Sequence, residues 1–502
     1  MSAPTTYKNA TPAPATPQEP AQGPKPVLER LFRLAEHRTT VRVEVMAGLT
    51  TFFASVFTVL AIPGMMAGGA AAAVGADALD PAIANAVFIA AVLSSVLGSL
   101  LMAFLANLPF VQAPGMGLGS YLAFTVMPAI GVLAGPDTLT AAQVYQMALA
   151  LVFLSGALFV LMSATGVRQK IIDGIPRNIK VALGAGIGLF ITLLGLRQAG
   201  ITVASASTFV ALVDFASWNH EDPAVRAQVL GAVLAVVGFL VMAVLHARKI
   251  KGAILAGIAV TTVLAFVTGQ TALPEGFAFD LGRQWSDFAT YSLFTLDLGT
   301  FSTFGNLGHV VTVVLAMVLA HTLVNSLDSL GTIFGVASAA GMVDERGDVV
   351  GLEKGLLSDA IGTAGGALIG SSSTATVVSS ASGINVGGRT GLTALTTSAM
   401  FVVALVAAPL VPLIPIVATA PALIFVGCLM MSQVKEVDFS DVTEAVPAFL
   451  AIAVMPLTFS IANGIAFALI SYVVLKVATG RRREISAPAA IIGALFVLQF
   501  LV

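Results

Sequence analysis

Ionisable and polar side chains inside long apolar runs are where this chain could do chemistry. One run, LAMVLAHTLVNSLDSLGT at 315–332, carries His321, Asn325 and Asp328. Spacings of four and three residues put them on roughly one helix face, as a polar stripe. An ionisable group at membrane depth costs enough free energy that function is the first reading for Asp328. The competing reading is a carboxylate near the helix end that caps a neighbouring segment. Asp359, in LLSDAIGTAGGALIG, has Thr363 one turn later and follows a charged loop running from Asp344 to Lys354. A cap near a helix start is the preferred reading for it. His309 and His321 stand apart from cysteine and from carboxylates at ligand spacing, so no metal site is expected. HExxH, GxSxG and Walker sequences are missing, which points away from an enzyme, and no cofactor is called for. GAGIG at 184–188 lies inside an apolar run with no strand before it, so close helix packing explains it better than nucleotide binding.

The elements that must position these residues are membrane helices. A chain 57% hydrophobic and 10% charged, with mean hydropathy +0.96, falls outside the soluble globular range. A net charge of -2 offers no basic face for nucleic acid, and a lone cysteine, Cys428, excludes a disulfide framework. Residues 1–27, rich in Pro, Ala and Thr, are expected to form a disordered cytoplasmic tail. Arg30, Arg33, Arg38 and Arg42 precede the first segment and favour a cytoplasmic N-terminus in a multi-pass cell-membrane protein. Spanning-length segments fall near 45–66, 82–105, 115–132, 143–166, 179–196, 227–246 and 253–269. A second set falls near 309–330, 355–370, 372–386, 391–411, 416–432, 446–459 and 461–478. The expected organisation is a seven-helix repeat over 28–269, a connection over 270–307, a second repeat over 308–478, and a basic loop with a terminal apolar segment over 479–502. Seven is odd, so two such halves in series lie in opposite orientations.

The third and tenth segments correspond and are both interrupted: APGMGLGSYLAF at 113–124 and GSSSTATVVSSASGI at 370–384. Irregular backbone at membrane depth is tolerable only where protein buries it or it lines a wet cavity, and paired breaks point to a midplane binding site. Close packing through small residues is the bland alternative. Gly115 and Gly117 are expected to admit no side chain. Thr419 with Pro421, and Ser460 with Asn463, are expected to mark broken or kinked helices.

Taken in order, the runs EVMAGLTTFF (44–53), APGMGLGSY (113–121), IPRNIKVALGAGIGLFITLLGLRQAGI (175–201), LDSLGT (327–332), SDAIGTAGGALIGSSS (358–373), GGRTGLTAL (387–395), ATAPALIFVGCLMM (418–431) and MPLTFSIANGIAF (455–467) are specific. With them the sequence resembles the xanthine/uracil/ascorbate permease family, in its adenine/guanine/hypoxanthine branch. The resemblance implies an all-α polytopic membrane protein of about fourteen transmembrane helices in two inverted repeats of seven. The first four helices of each repeat would form a core domain and the last three a gate domain. It also implies proton-coupled uptake of a purine base, bound between core and gate, by an elevator-like motion. Carried over residue by residue, substrate binding falls to Asn325, Ser379, Gly119, Ser120, Thr376 and Val378, and proton coupling to Asp328. Asp359, His321, Gly115 and Gly117 are supporting residues. The chain departs from the branch where Asn325 and Ser379 replace usual carboxylates, and where Gly119 and Ile62 replace usual asparagines.

The function expected is a secondary-active permease for a purine nucleobase or similar small heterocycle. Its partners are that substrate, a proton or other coupling ion, and the lipid bilayer; a homodimer is admitted alongside them. The alternative is an anion permease or channel-like carrier on the same fold, which missing carboxylates and paired half-helix N-termini would suit. A non-transporting membrane sensor or scaffold ranks below both.

Overall fold

The computed structural model describes residues 27–501 except 77–78, 136–137, 166–173, 206–207, 251, 272–279, 306, 340–341, 343–348, 407–412 and 459. The expected tail therefore lies outside the described residues, apart from Val27. Each apolar run read from the sequence is a helix or contains one. In the first half these are α1 (Val41–Ala73), α2 (Pro81–Ala106), α3 (Met116–Ala134), α4 (Ala141–Ala164), α5 (Arg177–Gln198), α6 (Pro223–Ala247) and α7 (Ala253–Val267). In the second they are α8 (Leu307–Ala339), α9 (Leu352–Ile369), α10 (Ser380–Val386), α11 (Gly391–Ala404), α12 (Ile416–Met431), α13 (Val442–Leu457) and α14 (Ile461–Ala478). A further helix, α15 (Ala487–Leu501), packs along α14. Its fifteen residues rise only about 22 Å, short of a bilayer core about 30 Å thick.

Two elements go beyond the sequence reading. Helix Leu281–Tyr291, inside the 270–307 connection, lies against α2 with Phe288 buried, and the amide of Asn85 donates to Asp287 at 2.9 Å. Strands Thr202–Ser205 and Phe209–Leu212 pair as a hairpin between α5 and α6. The two expected breaks fall differently, with Ser460 at the break between α13 and α14. Pro421 lies within α12, and Ser460 starts α14 by accepting the Asn463 amide at 3.3 Å.

Packing repeats with a shift of seven helices. Helix α4 packs on α8 and α9 as α11 packs on α1 and α2; α5 packs on α13 and α14 as α12 packs on α6 and α7. One group therefore unites α1–α4 with α8–α11, the core, and another unites α5–α7 with α12–α14, the gate. The gate is built on a small-residue face of α5, as GAGIG suggested. A Cβ on Gly186 would come 2.8 Å from the Ala451 carbonyl of α13, and one on Gly188 would come 2.8 Å from the Gly427 carbonyl of α12. Backbones this close gain dispersion contacts that lipid tails cannot supply. Beyond the ends of α13 and α14, Arg481 hydrogen-bonds Asp441 at 2.6 Å and holds its carboxyl well below the usual range. Lys476 pairs with Glu444 at 2.9 Å and Glu484 at 2.6 Å, tying the end of α14 to the start of α13.

In the core the two interrupted segments meet. Strand β1 (Gln112–Pro114) runs antiparallel to β2 (Thr374–Thr376), with Gln112 opposite Thr376 and Pro114 opposite Thr374. The Gly115 amide extends the ladder to the Ser373 carbonyl at 3.1 Å, and the Val377 amide to Val111 at 3.0 Å. The outer amides are met from neighbouring helices: Ser99 of α2 accepts from Gln112 at 3.3 Å, and Asp359 of α9 accepts from Thr376 at 2.7 Å. Asp359 thus caps a strand two turns into its helix, which corrects the expectation that it caps a helix start. It also accepts from the hydroxyls of Thr376, at 3.0 Å, and Ser329.

A second cross-helix cap explains two of the quoted runs. Glu44 of α1 is completely buried and accepts from the amides of Arg389 (2.8 Å), Thr390 (3.3 Å) and Thr393 (3.2 Å) and from the Thr393 hydroxyl (2.6 Å). The first amides of a helix have no partner within it, so EVMAGLTTFF satisfies the start of α11 in GGRTGLTAL. Glu44→Ala is expected to cost at least about 1.5–3 kcal/mol, the range for hydrogen bonds to a charged group. The check is the unfolding midpoint of the detergent-solubilised protein; an unchanged midpoint would show that α11 finds its cap elsewhere.

Candidate functional site

A cleft opens between core and gate. The core contributes Val324, Asp328 and Thr332 of α8 and Val378 ahead of α10. The gate contributes Lys180, Leu183, Gly184 and Ile187 of α5, Met430 and Gln433 at the end of α12, Met455 of α13 and Ile465 of α14. Its cavity volume of ≈ 40 Å³ has room for about three waters. The walls are largely apolar. Asp328 lines it from one side and Lys180 and Gln433 from the other, so the cleft can accept, donate and enclose.

Local sequence explains the gate side. Lys180 lies in the first turn of α5, where a long stem can follow apolar surface while its head stays in the cleft. Gly184, one turn later, leaves room for Gln433: a Cβ there would sit 1.8 Å from the amide oxygen. On the core side, half-buried Asp328 and half-exposed Val378 are the sequence-expected residues that reach the lining.

Residues 42–467 match the family model Xan_ur_permease, described as a permease family. The chain belongs to the xanthine/uracil permease family. It is 38% identical, over 94% of its length, to the guanine/hypoxanthine permease PbuO of Bacillus subtilis, whose whole length is covered. It is 36% identical to the adenine permease AdeP of Escherichia coli, over 96% of this chain and 97% of that one. Among solved structures, the transmembrane domain of the cyanobacterial bicarbonate transporter BicA superposes with a TM-score of 0.52 at 16% identity, covering 82% of this chain and 96% of that one. SLC26A9 superposes with a TM-score of 0.56 at 11% identity, covering 90% and 69%. At those identities the likeness shows the fold alone. The family makes this a multi-pass membrane transporter and not an enzyme.

In this permease the stripe expected of His321, Asn325 and Asp328 divides among three neighbours. Asn325 has no exposed surface and does not line the cleft; its amide donates to the Thr363 hydroxyl of α9 at 2.9 Å. The His321 ring is buried against Tyr121 of α3, centroids 5.9 Å apart. Thr376 is occupied with Asp359. Ser120 is buried and donates to the Met116 carbonyl at 2.8 Å. Gly119 faces Ile62: a Cβ there would lie 2.5 Å from that side chain. Half-buried Ser379, beside Val378, has a buried hydroxyl with no hydrogen-bond partner among the described residues.

Lys180 and Gln433 escaped the sequence reading. Nothing local in the sequence separates a lysine that favours a cytoplasmic loop from one that faces a cleft. The readable signal was a glycine one turn after a lysine on an otherwise apolar face.

The two glycines of α3's approach also separate. Gly115 has φ -69° and a nearest neighbour for an added Cβ at 3.3 Å, whereas a Cβ on Gly117 would meet Ile187 of the gate at 2.8 Å. Gly117→Val is expected to overpack the core–gate contact by about 1–3 kcal/mol and lower transport on the order of tenfold. Gly115→Ala is expected to transport near the normal rate. Initial uptake rates in proteoliposomes check both.

Proposed function

We propose that the protein is a secondary-active, proton-coupled permease for purine nucleobases, with Asp328 as both substrate acceptor and coupling residue. One observation carries this reading: Asp328, in the LDSLGT run, is the carboxylate that the cleft between core and gate presents. A purine is planar and apolar on both faces, with N–H donors and ring acceptors at its edge. Val378, Ile187 and Leu183 suit the faces, the carboxylate suits an N–H, and Lys180 and Gln433 suit the acceptors. Relatives at 38% and 36% identity are named for guanine/hypoxanthine and for adenine, which supports purines over other heterocycles. An acid in the cleft weighs against the anion reading.

The remaining parts of the proposal follow from the same resemblance. Residues 28–269 and 308–478 are the inverted repeats. The N-terminus lies in the cytoplasm, the protein sits in the cell membrane, and the core travels against the gate. Asn325 and Ser379, near the cleft but off its lining, shape the pocket from behind and do not contact the base.

The test is uptake of labelled guanine, hypoxanthine and adenine into proteoliposomes under an imposed pH difference. Wild type is expected to accumulate purine. Asp328→Asn is expected to insert normally, since losing a charge eases insertion, and to lose accumulation altogether. Accumulation by the Asp328→Asn protein would remove Asp328 from coupling, and wild-type flux of small anions without purine uptake would overturn the substrate.

A further inference from the structure

We infer that the gate carries a binding site for an anionic phospholipid, at the end of α6 that lies away from Arg248 and Lys249. A groove of ≈ 370 Å³ opens there, and its lining includes Trp218, Arg226, Gln270, Leu230 and Val233. Polarity is ordered along it. Arg226 lies in the first turn of α6 and Gln270 just beyond α7, while Leu230 and Val233 follow one and two turns further along α6. Val233 is thus roughly 10 Å from the arginine along the helix axis. Past the groove the same face stays exposed and apolar through Val237, Leu240 and Val244. A polar end that leads into an apolar trough along a membrane helix has the shape of an amphiphile.

Charge identifies the head of the occupant. The Arg226 guanidinium makes no hydrogen bond or ion pair among the described residues. Nearby acids are turned to the backbone: Asp222 accepts from the Ala224 amide at 2.8 Å, and Asp214 from the Ala216 amide at 3.0 Å and the Ser217 hydroxyl at 2.7 Å. Basic residues near membrane helices concentrate on one side, so an arginine at the end opposite Arg248 and Lys249 runs against that bias and calls for a partner. A planar guanidinium fits two phosphate oxygens at once, and the Gln270 amide and Trp218 indole can add donors beside it. Trp218 is exposed, on the turn 215–219, where Phe215 packs with Val229 of α6. An exposed indole beside the end of a membrane helix suits the headgroup level. Among the described residues no carboxylate lines the groove to receive a choline or ethanolamine cation, so the site favours a head that is only anionic, as in phosphatidylglycerol. An occupied site would fasten the α6–α7 end of the gate to its leaflet.

The test compares the unfolding midpoint of the detergent-solubilised protein with added phosphatidylglycerol and with added phosphatidylcholine. A ligand that binds only the folded form stabilises it by mass action, so phosphatidylglycerol is expected to raise the wild-type midpoint by about 2 °C or more beyond phosphatidylcholine. Arg226→Gln is expected to lose that difference. Equal effects of the two lipids on wild type, or a difference that survives in Arg226→Gln, overturn the site. Should Arg226→Gln fail to fold, Trp218 decides without it. The chain has two tryptophans, Trp218 and Trp285, so in Trp285→Phe the indole emission reports on the groove alone. In phosphatidylcholine vesicles, a small fraction of phosphatidylglycerol brominated on its acyl chains is expected to quench Trp218 about twofold more than the same fraction of brominated phosphatidylcholine. Equal quenching would make this an ordinary lipid contact, and quenching by neither would mean that protein covers the groove, as a second copy of the chain could; each outcome overturns the proposal.

Discussion

An amide that cannot reach water inside a bilayer must find an acceptor in protein, and the core of this permease is arranged around that requirement. The extended stretches at 112–114 and 374–376 satisfy each other, and side chains from α2 and α9 take up the outward amides of the facing pair Gln112 and Thr376, one on each edge. Because the crossing is fixed, the helices that leave it start at fixed places. Val378 is thereby presented to the cleft and Gly117 to Ile187 of the gate. The irregular backbone is a hinge point in sequence only; in space it is a short, fully paired sheet.

The interior tolerates little charge, which suits an amide at position 325. Asn325 donates to Thr363, and Thr363 donates in turn to the Thr374 carbonyl at 2.8 Å. This chain of neutral groups ends on the strand that Asp359 already holds. A second carboxylate at position 325 would stand beside that arrangement and close to the Asp359 carboxylate, so an amide is the less costly occupant.

Helix count, half correspondence and the two broken segments were legible because apolar length and glycine clustering act locally. The small-residue face of α5 was legible for the same reason, since glycines at 184, 186 and 188 cluster within one apolar run. The connecting helix at 281–291 was missed because its apolar positions are few and its polar ones many, a pattern that membrane-length runs nearby overshadow. The placement of Asn325 was illegible for a geometric reason. Three residues turn a helix about 300°, so Asn325 and Asp328 point about 60° apart, enough for one to meet α9 and the other the cleft. Periodicity names a face but not the neighbour it meets. Lys180 needed that neighbour, because a cleft between two domains exists only after both have folded.

The two halves pack in the same pattern seven helices apart, yet the residues that complete the central ladder differ: Ser99 serves the first and Asp359 the second. A molecule with true two-fold symmetry would present the same chemistry to both sides of the membrane and could not tell one from the other. Exchanging a hydroxyl for a carboxylate at one of two equivalent positions removes that equivalence while the helices stay where they are. The two sides of the central ladder thus differ in charge on a frame whose helix contacts repeat.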